Sequence, residues 1–277
     1  MAVSVVGVTA YGRCVADEQA GSLDLAAGRG ARSGMAIRFH HIAYRALDVC
    51  NAVEMAAIEA AVARTGLPPG ARVLDIGCGN GAVAARLARM GFAVTAVERD
   101  ADMADLARER TAGSGAEVVQ ADSGEVLAAS QPWDLILALG ATEAAAAGLR
   151  EPQAVLARLK QHLRPGGWLL WGDLFWAAEP PAPLRMLVEA TNDYLSHEGW
   201  QAAARAAGYG VDQAQASSAE SWDRYTAAMD GAARDWLAVH GDAPEAATVR
   251  AAADRVRTMF DFGRPYIGFG LYLLKAD

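Results

Sequence analysis

Lysine is almost missing from this 277-residue chain, which carries it at Lys160 and Lys275 only. Asp and Glu number 33 against 25 Lys and Arg, giving a formal net charge of -8. The arginines are dispersed among acids, so no basic stripe is available for a phosphate backbone, and nucleic acid is not expected as a partner. Cysteine is scarce as well. Cys14, Cys50 and Cys78 make an odd count without CxxC spacing, which argues against both a disulfide framework and a thiolate zinc site. A reducing compartment, the cytoplasm, suits that usage. No apolar run approaches the roughly 18 residues that span a bilayer, so no membrane partner is expected. Residues 1–12 lack the basic leading segment of a signal peptide. Nor does any His, Asp or Glu cluster have metal-ligand spacing, and no required metal is expected.

What is present is a regular alternation. Residues 1–34 show no helical or strand period and read as a disordered tail, with Met35 a candidate start. One α/β domain is expected over 35–277. Residues 47–65 are apolar at helical spacing and are stopped by Gly66-Leu67-Pro68-Pro69-Gly70. Strands are predicted at 72–76, 92–97, 117–120, 133–139 and 168–173, with helices between them at 82–90, 101–110 and 152–162. Such alternation predicts βαβ units and a mostly parallel sheet with helices on both faces. After residue 173 the pattern changes to a helix-like span at 183–206, a strand at 209–216 and helices over 219–262. The terminal apolar run, Ile267 to Leu274, reads as a buried seventh strand that pairs antiparallel beside the fifth. Helical cap elements are expected at about 35–65, 183–206 and 219–262.

The informative stretch is Val73-Leu74-Asp75-Ile76-Gly77-Cys78-Gly79-Asn80-Gly81. An apolar strand ends near an acid and enters a turn with three alternate glycines. Glycine there lets backbone approach a ligand and tolerates positive φ. The turn opens onto a helix start, whose free N–H groups can face a polar ligand. Gly77-x-Gly79-x-x-Ala82 also meets the relaxed dinucleotide fingerprint, so a nicotinamide-dependent oxidoreductase stands as an alternative. Asp75 and Gly81 speak against it.

With those residues in view, Asp75 through Gly81 resembles motif I of the class I methyltransferases that use S-adenosyl-L-methionine. The resemblance extends over about 65–175 and is closest to small-molecule enzymes of the ubiquinone-biosynthesis and arsenite type. Glu98 ends the second strand, Gln120-Ala121-Asp122-Ser123 follows the third, and Leu163-Arg164-Pro165-Gly166-Gly167 precedes the fifth. The resemblance implies that Asp75, Gly77, Cys78, Gly79, Asn80 and Gly81 line the methionine part of the cofactor. It puts Glu98 on the ribose hydroxyls, Arg99 and Met103 along the adenine edge, and Ala121, Asp122 and Ser123 at the adenine. Leu139 and Gly140 would close the far side. A catalytically silent cofactor-binding protein is a further reading.

Methyl transfer needs alignment and exclusion of water, and a base only when the nucleophile arrives protonated. Candidate catalytic groups are His41, Asp173, Tyr194 and His197, the last two spaced i, i+3 on an expected helix face. Tyr44, Thr142, Phe175, Trp176 and Tyr225 are candidate substrate contacts, with Phe175 and Trp176 placed just past the fifth strand. Each has a plain structural alternative, as hydrogen-bonded scaffold or core. The expected partner is a small-molecule methyl acceptor, and a homodimer is left open.

Overall fold

The computed structural model describes residues 38–146, 148–190 and 192–277. The tail expected over 1–34 lies outside them. Two helices, α1 (Phe39–Arg45) and α2 (Met55–Arg64), precede β1 (Arg72–Ile76). Then α3 (Ala82–Arg89), β2 (Ala93–Glu98), α4 (Ala101–Thr111), β3 (Glu117–Gln120), α5 (Ser123–Ala129) and β4 (Trp133–Leu139) follow in strict alternation. The chain continues through α6 (Thr142–Ala145) and α7 (Pro152–Lys160) into β5 (Leu163–Trp176). Beyond it lie α8 (Ala182–Val188), α9 (His197–Ala206), β6 (Tyr209–Ala216), α10 (Ala219–Val239), α11 (Ala246–Gly263) and β7 (Ile267–Ala276).

The seven strands form one sheet in the order β3-β2-β1-β4-β5-β7-β6. β1 to β5 are parallel, and β7 runs antiparallel to both its neighbours, as expected. The central strands are apolar on both faces, with Leu74, Ile76, Leu135, Ile136, Leu137, Leu169 and Leu170 fully buried. That continuous apolarity belongs to strands covered by helices on both sides. In one layer α3 packs on α4, α4 on α1, and α1 on α10 and α11; α5, α6, α7 and α9 succeed one another in a second. Strand order reverses between β1 and β4, and in open α/β sheets a ligand crevice forms beyond such a switch point.

α5 has no counterpart in the sequence reading, β5 starts earlier, at Leu163, and several ends move by a residue or two; three further differences have a tertiary reason. The helix expected from residue 47 starts only at Met55, and residues 46–54 are irregular. Side chains hold that segment out of helix: the Leu47 carbonyl accepts from Asn80 Nδ2 at 2.7 Å and from Arg110 at 2.7 Å. Second, the span 183–206 splits into α8 and α9, with Ser196 capping α9 by accepting from Gly199 N at 3.0 Å. Third, β5 runs on to Trp176, because its pairing with β7 continues to Trp176 opposite Ile267.

The sheet centre is packed around aromatics. Trp171 is 1% exposed, its ring centroid 5.4 Å from that of Trp200, and its Nε1 is buried without a hydrogen-bond partner. Truncating a buried tryptophan removes transfer energy and leaves a cavity, whereas phenylalanine keeps most of the ring and deletes the unpaired donor. Trp171→Ala is expected to lose about 3–5 kcal/mol in denaturant unfolding, and Trp171→Phe under about 1.5 kcal/mol.

Candidate functional site

The site grows from the turn after β1. Asp75 pairs with Ala96 of β2 on one side and Leu137 of β4 on the other, at the middle of the sheet. Its carboxylate is 3% exposed, and Oδ2 has no hydrogen-bond partner. Burial pushes its pKa up to about 7, with the Glu98 charge adding to the effect. Beyond it Gly77, Gly79 and Gly81 all hold positive φ. A Cβ on Gly77 would come within 2.9 Å of Ala141 Cβ, and one on Gly81 within 2.8 Å of the Ala107 backbone. Glycine at the first position therefore keeps β1 close to the β4 end, and at the last it lets α3 start against α4.

Glu98, at the tip of β2, holds this turn in place. It is 1% exposed, accepts from Gly79 N at 3.1 Å through Oε2 and from Asp100 N at 2.9 Å through Oε1. Asn80 points away from the turn's concave side. Its Oδ1 accepts from Ala82 N at 3.0 Å, and its Nδ2 donates to the Tyr44 and Leu47 carbonyls. Asn80 thereby ties the segment after α1 onto the glycine turn.

Two hollows meet at Gly77. The larger, about 1030 Å³, is lined by Asp75, Cys78, Gly79, Leu139, Gly140, Thr142, Glu143, Asp173, Asn192 and Tyr194 on its polar and backbone side. Tyr44, Leu174, Trp222, Tyr225, Phe260 and Phe269 form its apolar wall. The smaller, about 280 Å³, is lined by Val97, Glu98, Arg99, Ala121, Asp122, Ser123 and Ala144. Asp122 caps α5, accepting from Gly124 N at 2.8 Å, and Ser123 donates to the Ala144 carbonyl.

The larger hollow is acidic. Asp75, Glu143 and Asp173 all face it, and its described lining contains no Lys, Arg or His. Glu143 Oε2 is buried without a hydrogen-bond partner, like Asp75 Oδ2. Asp173 is 3% exposed, and its carboxylate accepts from Thr142 Oγ1 and from Leu174 N at 2.8 Å. Burial raises its pKa to about 6, against the opposing pull of those hydrogen bonds. The Tyr44 and Tyr225 hydroxyls are hydrogen-bonded to each other, and burial lifts both above the usual phenol range. This contact joins α1 to α10 along the cavity wall.

Several expected site residues are placed elsewhere. Met103 is 1% exposed in the α4 core, and Gly81 and Asn80 build the scaffold instead of lining either hollow. Phe175 and Trp176 lie inside β5, not past it, and line neither hollow. The Phe175 ring fills the space a Cβ on Gly268 would need, and Trp176 Nε1 donates to Glu189 at 2.8 Å. His197 does not share a helix face with Tyr194, which precedes α9; it packs on Phe175 and meets the Tyr272 hydroxyl at 2.9 Å through Nδ1. His41 sits outside the hollows, beside Asp100. Residues the sequence reading missed include Cys50, Asn51 and Asn192 on irregular segments, and Phe260 and Phe269 on α11 and β7. Asn51 Nδ2 donates to the Leu139 carbonyl at 2.9 Å and closes over Gly140.

Sheet order, glycine turn and paired strand-tip carboxylates define a nucleoside-binding α/β fold of the methyltransferase class. Residues 73–167 match the family model described as a methyltransferase domain. The uncharacterized protein YjhP of Escherichia coli is 30% identical over 220 residues, covering 76% of this chain and 86% of that protein. A SAM-dependent methyltransferase from Thiobacillus denitrificans, solved with S-adenosyl-L-homocysteine, superposes with TM-score 0.74 and 28% identity, over 88% of this chain and all of that one. A ubiquinone biosynthesis O-methyltransferase of Xanthomonas campestris is 34% identical over 131 residues, covering 46% of this chain and 52% of that enzyme. The chain belongs to the class I S-adenosylmethionine-dependent methyltransferases. The dinucleotide reading of Gly77-x-Gly79-x-x-Ala82 falls with that assignment.

The buried Asp75 carboxyl makes a test in the ligand-free protein. Its folded pKa lies above the unfolded value near 4, so its contribution to stability is full below about pH 4 and is lost as pH rises through about 7. Between pH 5 and pH 8, Asp75→Asn is expected to gain about 2–3 kcal/mol relative to wild type, read by denaturant melts at both pH values.

Proposed function

We propose that the protein methylates a small, largely aromatic or apolar acceptor that carries a protic nucleophile, with Asp173 taking its proton. The observation that carries this reading is the acidic larger hollow: three carboxylates, two of them with unpartnered buried oxygens, and no basic side chain in the described lining. S-adenosylmethionine supplies an electrophilic methyl on a sulfonium and leaves as a neutral thioether. A hollow of that sign favours a cationic ligand and relieves the Asp75 charge. In this reading Asp75 and the Gly77–Gly79 backbone hold the methionine part, with Cys78, Leu139 and Gly140 around it. Glu98 and Arg99 hold the ribose, and Ala121, Asp122 and Ser123 take the adenine in the smaller hollow. The shared rim at Gly77 supports one ligand lying across both.

The acceptor takes the remaining part of the larger hollow. Trp222, Tyr225, Phe260 and Phe269 supply a flat apolar wall, suited to a ring. Asp173, steadied by Thr142, accepts the proton as the new bond to the methyl carbon forms, and the bond to sulfur breaks with its electron pair staying on sulfur. Tyr194 and Asn192, hydrogen-bonded to each other at 3.4 Å, stand beside Asp173 to orient the acceptor. The printed name of the Xanthomonas relative, an O-methyltransferase, agrees with a hydroxyl acceptor.

Calorimetric titration with S-adenosylhomocysteine tests the cofactor pose. Asp75→Ala and Glu98→Ala are each expected to weaken binding by about 1–3 kcal/mol; wild-type affinity in both variants overturns it. Asp173 is tested separately, with an acceptor drawn from a screen of phenols and amines. Since a general base works deprotonated, kcat/KM is expected to rise as pH increases through about 6. Asp173→Asn should lower kcat by about 10²–10⁴-fold, without that pH step and with product affinity unchanged.

A further inference from the structure

We propose that His40, His41 and Asp100 form a binding site for one divalent transition-metal ion, of the zinc, cobalt or nickel type, which pins α1 to the start of α4. A ligand atom from each of the three residues lies within 4.8 Å of the other two. His41 Nε2 is 3.2 Å from the Asp100 carboxylate and His40 Nε2 is 3.7 Å from its Oδ2. Ligand atoms about 2.0–2.2 Å from a tetrahedral ion stand about 3.3 Å apart, so the two histidine–carboxylate separations need shifts of only a few tenths of an ångström. The side chains are 15%, 11% and 16% exposed, which is dry enough to favour an ion and open enough to admit one.

The donor set is also built, not merely gathered. Asp100 is fixed as the cap of α4, its Oδ1 accepting from Asp102 N at 3.0 Å and Met103 N at 3.1 Å. Oδ2 faces both histidines, and His41 Nε2 lies 3.2 Å from Oδ1 as well. His41 Nδ1 lies 3.6 Å from Asp102 Oδ2. A carboxylate on one ring nitrogen fixes the proton there and leaves the other nitrogen's lone pair free for a metal. Two imidazoles and one carboxylate suit zinc, cobalt or nickel and disfavour magnesium or calcium, which take oxygen ligands. A three-residue set leaves a position for water.

The location gives the ion a consequence. α1 is seven residues long, and a helix that short is not stable by itself. It packs on α4, α10 and α11 through the buried Ala43, and its polar fastenings include the Asn80 and Arg110 bonds and the Arg45–Glu109 pair at its C-terminal end and the Tyr44–Tyr225 contact. The ion would fasten the opposite end. Asp100 N also donates to Glu98 Oε1, which places the site one hydrogen bond from the carboxylate that grips the glycine turn.

The test uses the untagged full chain, so that no affinity tag contributes histidines. Titration with cobalt(II), followed by visible absorption, is expected to show one equivalent bound, displaced by zinc. Removing a ligand costs at least as much as removing an outer-sphere partner, which is worth about 10–100-fold in affinity. His40→Gln, His41→Gln and Asp100→Asn should therefore each weaken zinc binding by at least about 10-fold, and Asp102→Asn by about 10-fold. Asp100→Asn retains an N-cap for α4, and exposed His240→Gln should bind as wild type. Hydrogen exchange over residues 39–45 should slow with zinc in wild type and not in Asp100→Asn. The site is overturned if wild type takes up no cobalt or if the three ligand variants bind as it does; the pinning is overturned if zinc binds and exchange in α1 is unchanged. Neither readout involves the methyl donor, so the result stands apart from the cofactor pose.

Discussion

A carboxylate sealed into the middle of a parallel sheet with one oxygen unpartnered is costly in any fold. Asp75 lies between β2 and β4 with no cation near enough to lower its pKa, and Glu98 raises it further. Its shift from the ordinary carboxylate range to about 7 corresponds to about 4 kcal/mol held against the charged form. The neighbouring glycines make sense only alongside that cost. Gly77 and Gly79, both at positive φ, line the larger hollow together with Asp75, so a ligand there meets bare backbone beside the buried carboxyl. A polar atom left unsatisfied in the ligand-free protein becomes the group with most to gain from binding, which is how a site stores affinity at the expense of stability.

The remaining architecture holds that arrangement still. Glu98 spends both carboxylate oxygens on backbone, one on Gly79 and one on Asp100. Asn80 uses its amide to capture the chain after α1. Arg110 donates to the Arg45 and Leu47 carbonyls from the other side. Side chains thus take the Tyr44, Arg45 and Leu47 carbonyls where α1 ends, and Cys50 and Asn51 reach the cavity from a segment without regular structure. The covering of the site combines these side-chain-to-backbone bonds, each worth about 0.5–1.5 kcal/mol, with apolar packing, since Ala43, Leu47, Val49, Ala52 and Val53 are all buried in the core.

The same distinction explains what the sequence could tell. Strands β3, β4 and β6 were readable to the residue because their pattern is local: apolar runs bounded by turn residues. The glycine turn and Glu98 were readable because strand tips in an alternating fold must meet at the switch point. Residues 46–54 were not, since their apolar spacing imitates a helix while Asn80 and Arg110, from far along the chain, prevent one. Phe175 and Trp176 were misplaced because the length of β5 is set by its partner β7, whose register no local window contains. Tyr194 kept its place at the cavity while its expected neighbour His197 did not, since the break before α9 sends them to different faces. The His40–His41–Asp100 cluster had no sequence signal, because it spans 59 residues between His41 and Asp100 and adjacent histidines have no ligand spacing of their own.

Why two carboxylates of raised pKa can serve different ends in one cavity follows from what each already touches. Asp75 Oδ2 has nothing to bond, so its response to a cation is to ionise and stay ionised. Asp173 has Thr142 and the Leu174 amide on its oxygens, which hold it lower, at about 6, and fixed in orientation. A group that is anchored, hydrogen-bonded and poised near neutrality is suited to exchange a proton; one that is unanchored and unpaired is suited to bind charge. In the function we propose, the larger hollow binds charge at its β1 end and accepts a proton at its β5 end. The β4 tip lies between them, with Gly140 held at positive φ against Asn51. Gly77, Gly79 and Gly140 all present bare backbone to the hollow's wall, so a ligand can approach main chain there without meeting a side chain.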